Sequence, residues 1–162
     1  MTIRPNAVQR LIDQFILLRP VTAFFANKIH FVDKLVLKWT QGNYTLSEFA
    51  GWNIIQLTTI GAKTNQTRTM PLVGLFDDEK IALIATSFGR EHNPGWYYNL
   101  KTNPICNVIF KRKSGNYVAR EAEGAEYERY FQMAVSQYAG YEKYRERAPH
   151  RHIPVMVLEP KK

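Results

Sequence analysis

The second half of the chain is a series of short apolar runs separated by polar turns. Residues 54–60 and 69–76 are rich in Ile, Leu, Val and Thr and flank a polar loop, while residues 81–86 are apolar at nearly every position. Runs of this length and composition predict β-strands, of which the first two pair with each other and the third is buried on both faces. Three further runs predict the remaining strands of a six-stranded domain: 105–110, 117–123 and 153–158.

Amphipathic spacing predicts helices around these strands. Residues 6–18 and 125–138 place apolar side chains at steps of three and four along one face. Gly140 is expected to end the second of these helices, with one more helical turn at residues 141–147. Short strands with helices at the beginning, the middle and the end of the chain predict a mainly β fold, in which a small barrel carries a helical cover.

Local turn chemistry predicts where two further elements begin. Asn93 is a good N-cap residue and Pro94 suits the first helical position, so a short helix is expected to start there and to stop before Pro104. Ser, Gly and Asn favour turns. The turn between the fourth and fifth strands is therefore expected at residues 111–116, with residues 114–116 at its tip.

Chain length, net charge and cysteine content limit the classes of protein that are possible. The 162 residues favour a single globular domain, with an N-terminal helical segment, residues 1–41, packed on a barrel of residues 42–162. A net charge of +8 favours an anionic partner, but no nucleic-acid motif is present and nucleic acid is not expected. The single cysteine, Cys106, lies in an apolar run, which predicts a core side chain and excludes an internal disulfide or a multi-cysteine metal site.

The N-terminal region bears on localisation. The first residues lack the regions of a signal peptide, and no window is long and apolar enough to span a bilayer, which predicts the cytoplasm. Residues 21–39 combine aromatic and aliphatic side chains with lysines. This pattern predicts helices lying across the barrel, and a peripheral contact with the inner face of the membrane is the alternative.

The polar loop at residues 61–68 is the first candidate for chemistry. It combines Gly61, two hydroxyl groups, an amide and the cations Lys63 and Arg68. Backbone N–H groups, hydroxyl donors and cations suit an anion such as a phosphate or a carboxylate. Hairpin tips are also polar simply because they are solvated, so on the residues alone both interpretations stay open.

Three blocks of the sequence resemble the deazaflavin (coenzyme F420)-dependent nitroreductase family of the split β-barrel flavin/deazaflavin oxidoreductase superfamily. The first is LTTIGAKTNQTRTMPL at residues 57–72, the second is Ser87-Phe88-Gly89 with NPGWYYNLKTNP at 93–104, and the third is IPVMVLEP at 153–160. The blocks keep the family's order. The resemblance implies a six- or seven-stranded split β-barrel of the FMN-binding type, with N-terminal and flanking helices.

The resemblance also implies an activity and a site. It implies an enzyme that transfers a hydride from reduced coenzyme F420 to a quinone, nitroaromatic or enone acceptor, without a metal. Ser87 and Tyr141 fall on catalytic positions. The positions implied for cofactor binding are Lys63, Thr64, Arg68, Pro71, Ser87, Trp96 and Asn99. Those implied for the flat acceptor are Phe88, Tyr138, Tyr141 and Tyr144, although tyrosines at helical spacing are equally expected as core residues.

The sequence departs from the family pattern at three positions. Ala62 stands where the family usually has Arg or Lys, Phe88 replaces Lys or Gly, and Asn65 replaces Gly. Asn tolerates left-handed backbone better than most residues, so the loop is expected to keep its turn. The other two changes leave open a non-catalytic protein that binds a fatty acid or another lipid on the same barrel. An FMN-using relative and either a monomer or a homodimer also stay open.

Overall fold

The computed structural model describes residues 52–161. The predicted N-terminal helical segment, residues 1–41, lies outside the described residues, as do residues 42–51 of the predicted barrel and the proposed membrane contact. Within residues 52–161, none of the helices has the length and apolar character needed to cross a bilayer.

Seven strands and three helices make up the described fold. The strands are β1 (Ile54–Ile60), β2 (Thr67–Val73), β3 (Leu75–Asp77), β4 (Lys80–Ile84), β5 (Ile105–Phe110), β6 (Lys113–Glu121) and β7 (Val155–Pro160). The helices are α1 (Gly95–Thr102), α2 (Gly124–Gln137) and α3 (Gly140–Arg147). A single 3-10 turn, Ser87–Gly89, lies in the loop between β4 and α1, called here the 86–93 loop.

The strands form one antiparallel sheet that curls into a barrel. Their order is β2-β1-β5-β6-β7-β4-β3, so β2 and β3 are the two edges of the sheet. Along the chain these two edges are separated by Gly74 alone. The sheet must therefore bend so that its two edge strands meet at Gly74, as in a split barrel. The predicted mainly β, split-barrel architecture is confirmed, with seven strands.

Helices close the barrel on two sides. The interior cluster is built from alternate residues of the strands, among them Ile55, Leu57 and Leu83, and α1 adds Trp96 and Leu100. A second cluster packs Tyr130 and Ala134 of α2 against the outer side of β7. Cys106 is buried as predicted, and burial raises the pKa of its thiol to about 12, so the thiol is protonated and unreactive at neutral pH.

The predicted strand at 69–76 is split in two. β2 pairs with β1 as expected, but β3 pairs with β4 on the other edge of the sheet. Gly74 makes this change of partner possible, because a Cβ there would lie 3.1 Å from a side-chain methyl of both Ile55 and Ile81. The alternation of apolar residues continues across Gly74, so periodicity alone gives no sign of the break.

Two predicted boundaries are wrong because tertiary contacts override turn chemistry. The turn between β5 and β6 consists of Lys111 and Arg112, with φ of 46° and 64°, and Gly115 and Asn116 lie inside β6. This is the two-residue hairpin geometry that matches the twist of paired strands. Asn93 does not cap α1, which begins at Gly95 with no side-chain cap. The Asn93 carboxamide oxygen instead accepts a hydrogen bond from Arg151.

Candidate active site

A cavity of about 1160 Å³ opens between β2, the 86–93 loop, the start of α1 and the α2–α3 junction. Its walls bring together most of the site residues predicted from the sequence. The predicted residues that line it are Pro71, Ser87, Phe88, Trp96, Tyr138, Tyr141 and Tyr144. The cavity is also lined by charged and titratable side chains that were not among the predicted site residues: Arg90, Glu91, His92, Arg147 and His150.

One wall of the cavity is aromatic. The rings of Tyr138, Tyr141 and Tyr144, called here the tyrosine cluster, form a triangle with centroid separations of 6.0, 6.3 and 6.3 Å. Phe88 extends the wall, with its ring edge-on to Tyr144 at 6.0 Å. Burial raises the pKa of the Tyr141 and Tyr144 hydroxyls. Both hydroxyls therefore stay neutral at physiological pH, and a neutral phenol hydroxyl is able to donate a hydrogen bond.

The 86–93 loop, which carries Phe88, adjoins this aromatic wall, and its backbone is unusual. Ser87, Phe88 and Gly89 all have positive φ, at 48°, 58° and 76°. Two consecutive non-glycine residues in this region are uncommon and carry strain. At Gly89 a Cβ would lie 2.8 Å from the Cβ of Arg147, so the loop is seated directly on α3. This conformation lets Ser87 and Phe88 line the cavity.

The polar segment at residues 61–68, called here the cationic loop, joins β1 to β2 and includes the first two residues of β2, Thr67 and Arg68. The Gly61 N–H donates to Gln66 O and the Asn65 N–H donates to Gly61 O, each at 2.9 Å. Asn65 has a φ of 52°, which confirms that Asn supports the left-handed turn here. Lys63 and Arg68 are exposed, and within residues 52–161 neither forms an ion pair with a carboxylate. Their charges are therefore available to an anion.

Asn99 connects this cationic loop to α1. Its side-chain oxygen accepts from the Ala62 N–H at 3.0 Å, and its side-chain nitrogen donates to Thr59 Oγ1 at 3.0 Å. Thr59 is 1% exposed, so its hydroxyl depends on this partner. Asn99 was predicted to bind the cofactor, and the structure places it where it orients the loop that would do so.

The loop and the cavity are joined by two rigid elements. β2 runs from Arg68, the last residue of the cationic loop, to Pro71 in the cavity wall, about 10 Å along an extended strand. α1 carries Trp96 in the cavity and Asn99 beside the loop, about 4.5 Å apart along the helix axis. A molecule with a flat ring and an anionic tail could therefore contact both at once.

Sequence interpretation missed Arg151 altogether. Its guanidinium donates to backbone oxygens of the 86–93 loop and to the side chain of Asn93. In the sequence it is one basic residue in a basic stretch just before β7. No local pattern distinguishes such a residue from a solvated surface arginine.

Replacing Asn99 with Ala is expected to lower the free energy of unfolding by about 1–3 kcal/mol, because the buried Thr59 hydroxyl and the Ala62 N–H lose their partner. Chemical denaturation measures this loss. The matched control is Asn107→Ala, which removes an amide bonded to Ser114 and Asn116 in a solvent-exposed cluster. Equal destabilisation by the two variants would contradict the role assigned to Asn99.

Comparison with known proteins assigns the chain to a family. Residues 34–160 match the sequence model of the F420H(2)-dependent quinone reductase family. The chain belongs to this family. It is 35% identical over 105 residues to the F420H(2)-dependent quinone reductase Rv1261c of Mycobacterium tuberculosis. The aligned region covers 63% of this chain and 70% of that protein. Family membership confirms the predicted class, an oxidoreductase dependent on coenzyme F420.

Two solved structures support the family assignment. The F420-H2 dependent reductase FDR-A is 36% identical, with a TM-score of 0.61 over 66% of this chain and 94% of that one. A second, described as a domain-swapped dimer, is 32% identical, with a TM-score of 0.63 over 81% of this chain and 96% of that one. The described residues of this family member suit the coenzyme, because an aromatic cavity and an unpaired cationic loop lie on the same two elements.

Proposed function

We propose that this protein transfers a hydride from reduced coenzyme F420 to a quinone that binds in the cavity. The observation that carries the proposal is the continuity between the aromatic cavity and the cationic loop through β2 and α1. Nitroaromatics and enones are proposed as further acceptors, because they are flat electrophiles that an aromatic wall also accommodates.

The chain's own residues divide between holding the coenzyme and holding the acceptor. Lys63, Arg68 and the Thr64 hydroxyl bind the anionic tail through charge-assisted hydrogen bonds. Pro71 and Trp96 wall the ring region, and Asn99 holds the cationic loop in place. Bound reduced coenzyme supplies the hydride, and the protein's task is to orient both partners and to exclude water.

The other side of the cavity receives the acceptor. A quinone becomes a hydroquinone by gaining a hydride and a proton, and negative charge grows on its oxygen in between. Ser87 and Tyr141 donate hydrogen bonds to that oxygen, and the neutral Tyr141 hydroxyl can pass on a proton that water replaces. The remaining aromatic side chains hold the ring flat: Phe88, Tyr138 and Tyr144.

Replacing Ser87 with Ala is expected to lower kcat for quinone reduction about tenfold, with the Kd for oxidised coenzyme within about twofold of the wild type. The loss falls on the reaction step because the cationic loop supplies the charged contacts that dominate coenzyme affinity, while Ser87 lines the cavity. Turnover is followed by the visible absorbance of the oxidised coenzyme, and Kd by quenching of tryptophan emission.

The matched control is Ser136→Ala, which removes an exposed hydroxyl that donates to Met133 O on α2. It is expected to leave both constants unchanged. Wild-type protein that neither binds the coenzyme nor reduces a soluble quinone would overturn the proposed function.

A lipid-binding protein without catalysis is the second candidate. The observation that favours it is Phe88, 42% exposed beside a cavity with predominantly apolar lining residues. Mass spectrometry of an organic extract from protein purified without detergent would detect a carried fatty acid. Such a ligand, together with the absence of coenzyme binding, would favour this candidate over the reductase.

A further inference from the structure

The Arg151 side chain makes hydrogen bonds to both ends of the 86–93 loop. The side chain is half-buried just before β7. Its Nε donates to Arg90 O at 2.9 Å, its Nη2 donates to Thr86 O at 2.6 Å, and its Nη1 donates to the Asn93 side chain. Two longer contacts from Nη1 complete the set, to Ala85 O at 3.4 Å and His152 O at 3.3 Å.

The contacts span the loop from its first residues to its last. Thr86 precedes the strained turn Ser87–Gly89, while Arg90 and Asn93 follow it. One planar guanidinium thus fixes the distance between the two ends of the turn. Without such a fixed frame, residues with positive φ would relax to commoner backbone conformations, because positive φ is unfavourable for non-glycine residues.

All the acceptors are neutral oxygens, so this is a structural clamp and not an ion pair. Hydrogen bonds from a charged donor are roughly twice as strong as those between neutral groups. Burial lowers the pKa of the Arg151 guanidinium, but arginine remains charged at any physiological pH. The guanidinium therefore keeps its charge and its donors across the physiological pH range.

We propose that Arg151 is a positioning residue of the active site, which fixes the 86–93 loop so that Ser87 and Phe88 keep their places in the cavity. The consequence for turnover rests on the proposed function. The expected effect on the conformation of the loop is independent of the proposed function, because every contact involved lies within the chain. Arg151 itself does not line the cavity, so it acts through the loop.

Hydrogen exchange followed by mass spectrometry tests the clamp without a ligand. The Gly89 and Arg90 N–H groups donate within the loop to Thr86 O and Ser87 O, so they report its conformation. In Arg151→Met, exchange in peptides covering residues 85–93 is expected to accelerate at least about tenfold. Arg151→Lys should give an intermediate result, because an ammonium keeps the charge and loses the planar fork.

The matched control is Arg120→Met, which removes a guanidinium that makes four hydrogen bonds to Glu126 and Glu159 away from the cavity. Its exchange in 85–93 should equal that of the wild type. A folded Arg151→Met variant with wild-type exchange in this segment would overturn the proposal, as would equal acceleration in Arg120→Met.

Turnover provides the second arm of the test. Arg151→Met is expected to lower kcat for quinone reduction at least about tenfold while the Kd for oxidised coenzyme changes less than about threefold, because the cationic loop is untouched. Accelerated exchange with unchanged kcat would overturn the positioning role. Absence of turnover in the wild type would refute the proposed function alone, and exchange would still decide whether Arg151 fixes the loop.

Discussion

Replacing Lys63 and Arg68 together with Ala is expected to weaken binding of oxidised coenzyme F420 by about 100-fold or more. Each charge-assisted contact with the anionic tail is worth about 1.5 kcal/mol at the lower end, and two such losses multiply. Both side chains are exposed on a loop whose turn is held by backbone hydrogen bonds and by Asn99, so the protein should stay folded. Quenching of tryptophan emission measures Kd.

A charge-matched control separates this contact from the general field of a basic protein. Lys111→Asn/Arg112→Asn also removes two positive charges, and Asn suits the positive φ of both positions. This turn follows β5, at the end of that strand remote from the cationic loop, because β1 and β5 are antiparallel. If both double variants weaken binding equally, the tail does not bind at Lys63 and Arg68.

Salt adds a second check on the same contact. Binding through Lys63 and Arg68 should weaken as ionic strength rises, because exposed charges are screened over about 8–10 Å at physiological salt. The double variant should lose most of this salt dependence. Undiminished salt dependence in the variant would indicate that other cations, such as those lining the cavity, bind the tail.

Replacing Gly140 with Ala is expected to lower the melting temperature by about 5–15 °C and to weaken acceptor binding. A Cβ at this position would lie 2.0 Å from a ring carbon of Tyr138 and 2.6 Å from its hydroxyl oxygen. The ring must move, and overpacking of this kind costs about 1–3 kcal/mol or more. Because Tyr138 contacts both other rings of the tyrosine cluster, the cavity wall changes shape with it.

Two further variants test whether the destabilisation by Gly140→Ala arises from the Tyr138 ring. Gly95→Ala also adds a methyl group at the first turn of a helix, but nothing lies within 4 Å of that position, so stability should hold or rise slightly. Gly140→Ala/Tyr138→Ala should be less destabilised than the sum of its single changes, because removing the ring removes the clash. Additive losses of stability would show that the destabilisation does not arise from contact between the added methyl group and the Tyr138 ring.

The larger part of the fold was predictable from local pattern. Runs of alternating or continuous apolar residues gave β1, β4, β5 and β7 within a few residues, because strand burial imposes its period directly on the sequence. The order of the sequence blocks gave the family, which the comparison confirms. The polar loop with Lys63 and Arg68 was also predictable, since the candidate residues lie within eight positions of one another.

The failures share one physical origin, which is competition between local preference and distant partners. Asn93 has the chemistry of a helix cap, but Arg151, 58 positions away, takes its side-chain oxygen. Residues 114–116 have the chemistry of a turn, but pairing with β5 draws them into β6. Each local preference is worth about 1 kcal/mol, which a ladder of strand hydrogen bonds or a charged donor exceeds.

By itself, the sequence determined most of the strands, the buried cysteine, the net positive charge and the family to which this chain belongs. The tertiary structure decided how these parts form a site. In the folded protein the two edge strands meet at Gly74 and three tyrosine rings pack together. Asn99 hydrogen-bonds to the cationic loop, and Arg151 hydrogen-bonds to the 86–93 loop. The contacts of Asn99 and Arg151 join residues tens of positions apart, and their partners depend on the path of the whole chain, which no local pattern records.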